Sequence, residues 1–337
     1  MSASWRRERA TMKSGAGDRG EGPFGQFDAD VPDYTPRGAL YAANLPRKGL
    51  FIDGRPALTG IDPDAVGEYV ILTVRDPLCA YASDPAELFA SRLVDAHPIG
   101  VTGMFSCWTG SYKGASITVV SGGSGAPEAE LALHEFLENT AATTYLRVGG
   151  SGGMHASVKP GDVVIASGVV RDDGMTRSYI PPSYPATCSF EVVAALVEAA
   201  SHSSARWHIG VTRSADSDFC GVGRPGVGGY MQPWNLDVVD VWTRAGVLNG
   251  DRESSAVVTL AQLFGRRGGS ICSVADNIVT GESFEAGAGH DAAIDIALEG
   301  LSVLRAMDDA KAAAGLACWT PSLGLATSPR RPETTQR

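Results

Sequence analysis

From Tyr69 to Ala314 the chain alternates two kinds of segment, and that alternation limits its possible folds more than any other feature. YVILTV (69–74), SITVVS (116–121), TYLRVG (144–149), DVVIASGVV (162–170), HIGVTRSA (208–215) and SICSVAD (270–276) are short and rich in β-branched residues, with apolar side chains at consecutive positions. Strands covered on both faces have that pattern. Between them lie EAELALHEFLENTA (128–141), SFEVVAALVEAASH (189–202), DRESSAVVTLAQLFGRRG (251–268) and HDAAIDIALEGLSVLRAMDDAKAAA (290–314). Their apolar residues recur every three and four positions, which predicts helices. Gly268-Gly269 is expected to stop the third. Strand–helix alternation in one run predicts a single α/β domain with a mixed, mainly parallel sheet. That domain is expected to span 37–318. Residues 1–36 and 319–337 are polar and Gly- or Pro-containing, and are expected to be a disordered extension and a flexible tail.

Composition removes several functions. With a net charge of −10 and no basic stripe, the chain is a poor match for a nucleic-acid backbone. No apolar run is long enough to span a bilayer, so no membrane partner is expected. The first residues lack the apolar core of a secretory signal. Cys79, Cys107, Cys188, Cys220, Cys272 and Cys318 are scattered without CxxC pairing, which suits free thiols in a reducing cytoplasm. His97, His134, His155, His202, His208 and His290 show no metal-binding spacing. No nucleophile elbow, Walker loop or dinucleotide fingerprint is present, so no metal and no cofactor are expected.

Four stretches carry candidate chemistry, each with a plainer alternative. In LRVGGSGG, Arg147 stands at the lip of a glycine loop. Bare amides and a fixed cation make an anion site, or the loop is a tight turn whose arginine reaches water. In NGDRESSAVV, Glu253 could accept hydrogen bonds from sugar hydroxyls, or the acidic residues could suit a helix N-terminus. In CSVADN, Asp276 follows a buried strand where α/β sheets bind ligands. It reads as a general acid or as a cap. SDFCGVGRPGVGGYMQPW (217–234) is a binding loop with Phe219 and Trp234 as stacking surfaces, or a disordered insertion.

Taken in order, these pieces resemble the nucleoside phosphorylase family: hexameric-type purine nucleoside phosphorylases, uridine phosphorylases and related nucleosidases. The resemblance runs from about Tyr69 to Leu304. RDPLCAYA looks like the family's GDPxR loop, LRVGGSGG its R-[IV]-G-[ST]-x-G, NGDRESSAVV its E-M-E-[SA] and CSVADN the purine branch's TVSDH. GMFSCWTGSYKGASITVVSGGSGAPEAEL resembles the family's hairpin and GxGxPS loop. VVRDDGMTRSYIPPSYPA resembles the uridine branch. The resemblance implies one three-layer α/β/α domain around a barrel-like sheet, usually assembled as dimers or hexamers. It implies cleavage or formation of the N-glycosidic bond of a nucleoside, through phosphorolysis to free base and sugar 1-phosphate, with phosphate as co-substrate. It further implies that Arg147 contacts phosphate, Glu253 holds the ribose, Asp276 protonates the leaving base and Arg224 faces it, with Phe219 and Val222 beside it.

Departures from the family pattern keep two rivals open. The first loop's phosphate ligands are Arg75 and Cys79, and the arginine normally lent by a neighbouring subunit aligns with Thr102 or Gly103. The family hydroxyl is Gly150, with Ser151 adjacent. Val222 replaces the uracil-reading glutamine. Arg252 replaces the methionine between the two family carboxylates, the first of which is shortened to Asp251, and suggests a negative group on the sugar. Hydrolysis or transfer to another acceptor is therefore one alternative, and a non-catalytic nucleoside-binding protein another.

Overall fold

The computed structural model describes residues 49–75 and 83–327. The expected N-terminal extension and Cys79 lie outside the described residues. Strands β1 (Tyr69–Val74), β2 (Val94–Val101), β3 (Ser106–Tyr112), β4 (Ala115–Gly122), β5 (Thr144–Gly153), β6 (Val163–Asp172), β7 (Ala186–Thr187), β8 (Trp207–Ala215), β9 (Val247–Asp251) and β10 (Arg267–Asn277) form one ten-stranded sheet. Its order is β9-β8-β6-β10-β5-β1-β4-β3-β2, with β7 on β6.

The sheet is mixed. β10, β5, β1 and β4 run parallel, as do β6, β8 and β9. The two groups meet antiparallel at β10 and β6. β9 also pairs antiparallel with β5, Asn249 opposite Gly153 and Gly250 opposite Gly152. That second pairing closes β5, β9, β8, β6 and β10 into a five-strand barrel.

Alternation within β1 explains the layers. Tyr69 and Ile71 face one cluster, built with Phe89 of α1 (Pro85–Ala90), Leu196 of α4 (Phe190–Ser201) and Leu301 of α8 (His290–Ala313). Val70, Leu72 and Val74 face another, built with Leu133 and Phe136 of α2 (Ala126–Asn139) and Leu260 of α7 (Ser254–Leu263). Each large apolar side chain buried here contributes about 1.5–3 kcal/mol. Further short α-helices among the described residues are α3 (Met175–Tyr179), α5 (Pro233–Leu236), α6 (Val238–Arg244) and α9 (Pro321–Thr327).

Several boundaries differ from the sequence expectation, for physical reasons. Gly268 and Gly269 lie inside β10 and do not end α7, which stops at Leu263 with Gly265 at φ +67°. A Cβ at Gly268 would sit 3.0 Å from Val258 Cα of α7, and one at Gly269 would sit 2.5 Å from Val192 of α4. The glycines let two helices approach the strand. β2 was not expected because its residues are mostly exposed and it lacks an apolar run. Within the segment 319–337, expected to be a flexible tail, the structure has a helix over Pro321–Thr327. Trp319 packs on the core, its N–H donates to Glu191 Oε1 at 2.8 Å, and α9 follows.

Candidate active site

A cavity of about 380 Å³ opens where β5, β9 and β10 end, a size ordinary for small-ligand sites. Arg147, Ser151, Phe219, Val222, Arg224, Arg252, Glu253 and Asp276 all line it. Residues scattered across 130 positions of sequence are thus brought together by barrel closure, and 217–224 forms a wall rather than a disordered insertion.

Its deepest part is a buried charge cluster. Arg147, with a side chain 1% exposed, donates to Glu253 Oε2 from Nη2 at 2.7 Å and from Nε at 3.1 Å. Asp251 Oδ2 lies 3.6 Å from Nε. Glycine explains how the guanidinium fits. A Cβ at Gly149 would sit 2.0 Å from Arg147 Nη1, so only glycine lets the arginine fold back over its own strand. Glu253 precedes α7 but makes no side-chain cap bond. Its Oε1 instead accepts from Gly125 N at 2.6 Å and Ser124 Oγ at 3.1 Å, from the loop before α2.

Asp251 ends β9 and receives Ser214 Oγ, Ser254 Oγ at 2.6 Å and Ser254 N at 3.0 Å. Burial, reinforced by the negative charge of Glu253, pushes its pKa above the usual carboxylate range. Asp251 therefore holds the first residue of α7 through Ser254 N and Oγ, and Glu253 is left to face the cavity.

Nearer solvent, Asp276 Oδ2 is ion-paired with Arg224 Nη2. Asp276 sits where the register of β10 against β5 shifts, and no helix follows it to cap. A Cβ at Gly152 would lie 2.7 Å from its Oδ1. The adjacent Asn277 is structural: Nδ2 donates to His155 O at 2.9 Å and Val158 O at 2.7 Å, and Oδ1 accepts from Val279 N at 2.8 Å. Phe219, Ile278, Phe284 and Met154 supply apolar wall to the same cavity.

Three sequence candidates are placed differently. Ser151 lines the cavity, but its hydroxyl donates to Ser273 O at 2.8 Å and accepts from Asn249 Nδ2 at 2.9 Å. Arg75 is not among the lining residues. Its Nε pairs with Asp84 Oδ2 at 2.9 Å and its Nη1 donates to Met104 O at 3.2 Å. Trp234 is exposed and also outside the lining. Sequence reasoning missed Asp218, which lines the cavity and holds Arg252 Nη1 at 3.0 Å. The signal was its place one residue before Phe219.

Residues 71–304 match the family described as the phosphorylase superfamily. The chain belongs to that superfamily. The chain is 36% identical over 263 residues to the uridine phosphorylase of Thermococcus kodakarensis, covering 77% of this chain and 91% of that protein. It is 30% identical over 257 residues to the uridine phosphorylase of Treponema pallidum, covering 74% and 94%. A guanosine phosphorylase of Halorubrum lacusprofundi is 32% identical over 171 residues, covering 51% and 65%. The closed five-strand barrel is consistent with the phosphorylase fold, and its cavity holds Arg147, Glu253 and Asp276 within one lining. Among the described residues no group of three or more His, Cys, Asp or Glu could hold a metal ion.

Proposed function

We propose that this phosphorylase-superfamily protein cleaves the N-glycosidic bond of a nucleoside with inorganic phosphate, releasing free base and sugar 1-phosphate. The observation that carries the reading is the shared cavity of Glu253, Arg147 and Asp276. Relatives named uridine phosphorylase and guanosine phosphorylase support phosphorolysis over hydrolysis, transfer to another acceptor, or binding alone. Phosphate is the co-substrate, and no cofactor is needed.

The chemistry separates charge. As the C1′–N bond breaks, its electron pair moves to the base and the sugar becomes cation-like, while a phosphate oxygen forms the new bond to C1′. Glu253 holds the ribose hydroxyls and its charge stabilises the sugar. Arg147 fixes Glu253 and attracts the phosphate. At the other end Arg224 donates to the base as it gains electrons, and Asp276 supplies a proton to the leaving ring where the base requires one. Phe219 and Val222 cover the base. The glycine amides complete the anion side, and Ser151 joins it only by turning its hydroxyl away from Ser273 O. Arg75 joins it only by leaving Asp84.

We further propose a homo-oligomer, a dimer or hexamer, working in the cytoplasm. Cys107, Cys188 and Cys272 are buried free thiols, which suits a reducing compartment. Among the described residues no helix is long and apolar enough to cross a membrane.

Base release from uridine, inosine and guanosine, followed with and without phosphate, tests the reaction. Release is expected to require phosphate, and phosphate-independent release would overturn the phosphorylase reading. Asp276→Asn is expected to lower kcat at least tenfold, about 1.4 kcal/mol of transition-state stabilisation, with an unchanged circular dichroism spectrum.

A further inference from the structure

Three arginines line the cavity, each with a carboxylate partner, and the three pairs are unequal. Arg147 is fully buried between Glu253 and Asp251. Arg224 is bound to Asp276. Arg252 has the loosest arrangement. One nitrogen, Nη1, meets Asp218 at 3.0 Å, and Asp218 has a side chain 50% exposed. Nη2 donates to Asp216 O at 3.3 Å. Nε is buried and has no hydrogen-bond partner. A dry guanidinium donor without an acceptor is unusual enough to need a cause. Releasing a half-exposed carboxylate to water costs little.

The neighbourhood is built for negative charge. Nη2 lies 3.4 Å from where a Cβ on Gly125 would be, so the guanidinium sits in contact range of the N-terminus of α2. That helix is 14 residues long and Gly125 provides no side-chain cap. The N-terminus of α2 and the Arg252 guanidinium therefore lie side by side next to Ser124, which lines the cavity with Arg252. The same Gly125 donates its N–H to Glu253, which ties this corner to the sugar end.

We infer that Arg252 is the cation of an oxyanion subsite: on ligand binding it exchanges Asp218 for a phosphate or carboxylate group at the sugar end of the cavity. The inference rests on the phosphorylase reading for what occupies the rest of the cavity. Two sources share this chemistry, an anionic group carried on the sugar of the nucleoside and the inorganic phosphate co-substrate. The planar fork of arginine suits either, and the methionine it replaces in the family pattern suits neither.

The test uses the full-length protein and two variants with opposite expected signs. Arg252→Met removes the cation. Asp218→Asn removes its competitor. Titration calorimetry with uridine, uridine 5′-monophosphate and inorganic phosphate measures binding directly and needs no turnover. If the group is on the sugar, Arg252→Met weakens uridine 5′-monophosphate at least tenfold while uridine changes less than threefold, and Asp218→Asn tightens the monophosphate. If the group is the co-substrate, the same opposite shifts occur for inorganic phosphate and in the KM for phosphate. Either pattern supports the subsite and names its source. Binding of both anions unchanged by both variants overturns it. Loss of turnover on every nucleoside, with these binding shifts intact, would remove the phosphorylase reading and leave the subsite standing.

Discussion

Replacing Glu253 by glutamine keeps the side chain's shape and removes its charge. Arg147 would then be a fully buried cation whose carboxylate neighbour is Asp251 at 3.6 Å, itself a carboxyl that burial pushes toward the protonated form. Removing one partner of a buried pair typically costs 3–5 kcal/mol, because the other charge stays dry and uncompensated. Glu253→Gln is therefore expected to lower stability by about 3 kcal/mol, read from urea unfolding, and to abolish turnover. The sequence placed Glu253, Arg147 and Asp276 as one set through their family motifs. It did not show that Asp251 would be consumed by Ser214 and Ser254, because Ser214 lies on β8, which reaches β9 only through the sheet. Arg75 is held away from the lining for a similar reason: Asp84 caps α1 nearby and takes its guanidinium.

At the scale of elements, the glycine run ending β5 does two jobs. Gly149 makes room for the returning arginine, and Gly152 and Gly153 admit Asp276 and Asn277 from β10, where added Cβ atoms would lie 2.7 Å from each side chain. Gly149→Ala is expected to displace the Arg147 guanidinium, which is pinned at three nitrogens and cannot swing aside. The expected result is loss of catalytic efficiency by at least tenfold, with a crystal structure of the variant showing the Arg147–Glu253 pair broken. Strands with continuous apolar runs, such as β1 and β6, were legible because burial on both faces leaves that trace. β2 was not, since Val94 and Val101 are exposed and polar residues intervene. The start of α7 was misjudged because Asp251 and Arg252 carry charge suited to a first turn, while the five residues Val247–Asp251 pair as the strand β9.

For the molecule as a whole, His290 couples the site to stability. It is 4% exposed at the start of α8, beside Ser273 Oγ at 3.4 Å. Burial, and then the positive charge of Arg147, depress its pKa from 6.5 to about 4, against an upward pull from Asp291. Unfolded, the imidazole takes a proton near pH 6.5; folded, it does so only near pH 4. Stability is therefore full above pH 6.5 and falls as pH is lowered toward 4, by about 3 kcal/mol for a shift of this size. Urea midpoints from pH 7.5 to 5 are expected to decline, and His290→Gln to flatten the decline.

One consequence follows from the carboxylate that binds Arg147 and the Gly125 amide together. Three chain segments distant in sequence are knotted at a single buried point, so the inner end of the cavity has no hinge. Traffic of nucleoside and product must use the outer flank instead, where Phe219 and Arg224 are solvent-facing.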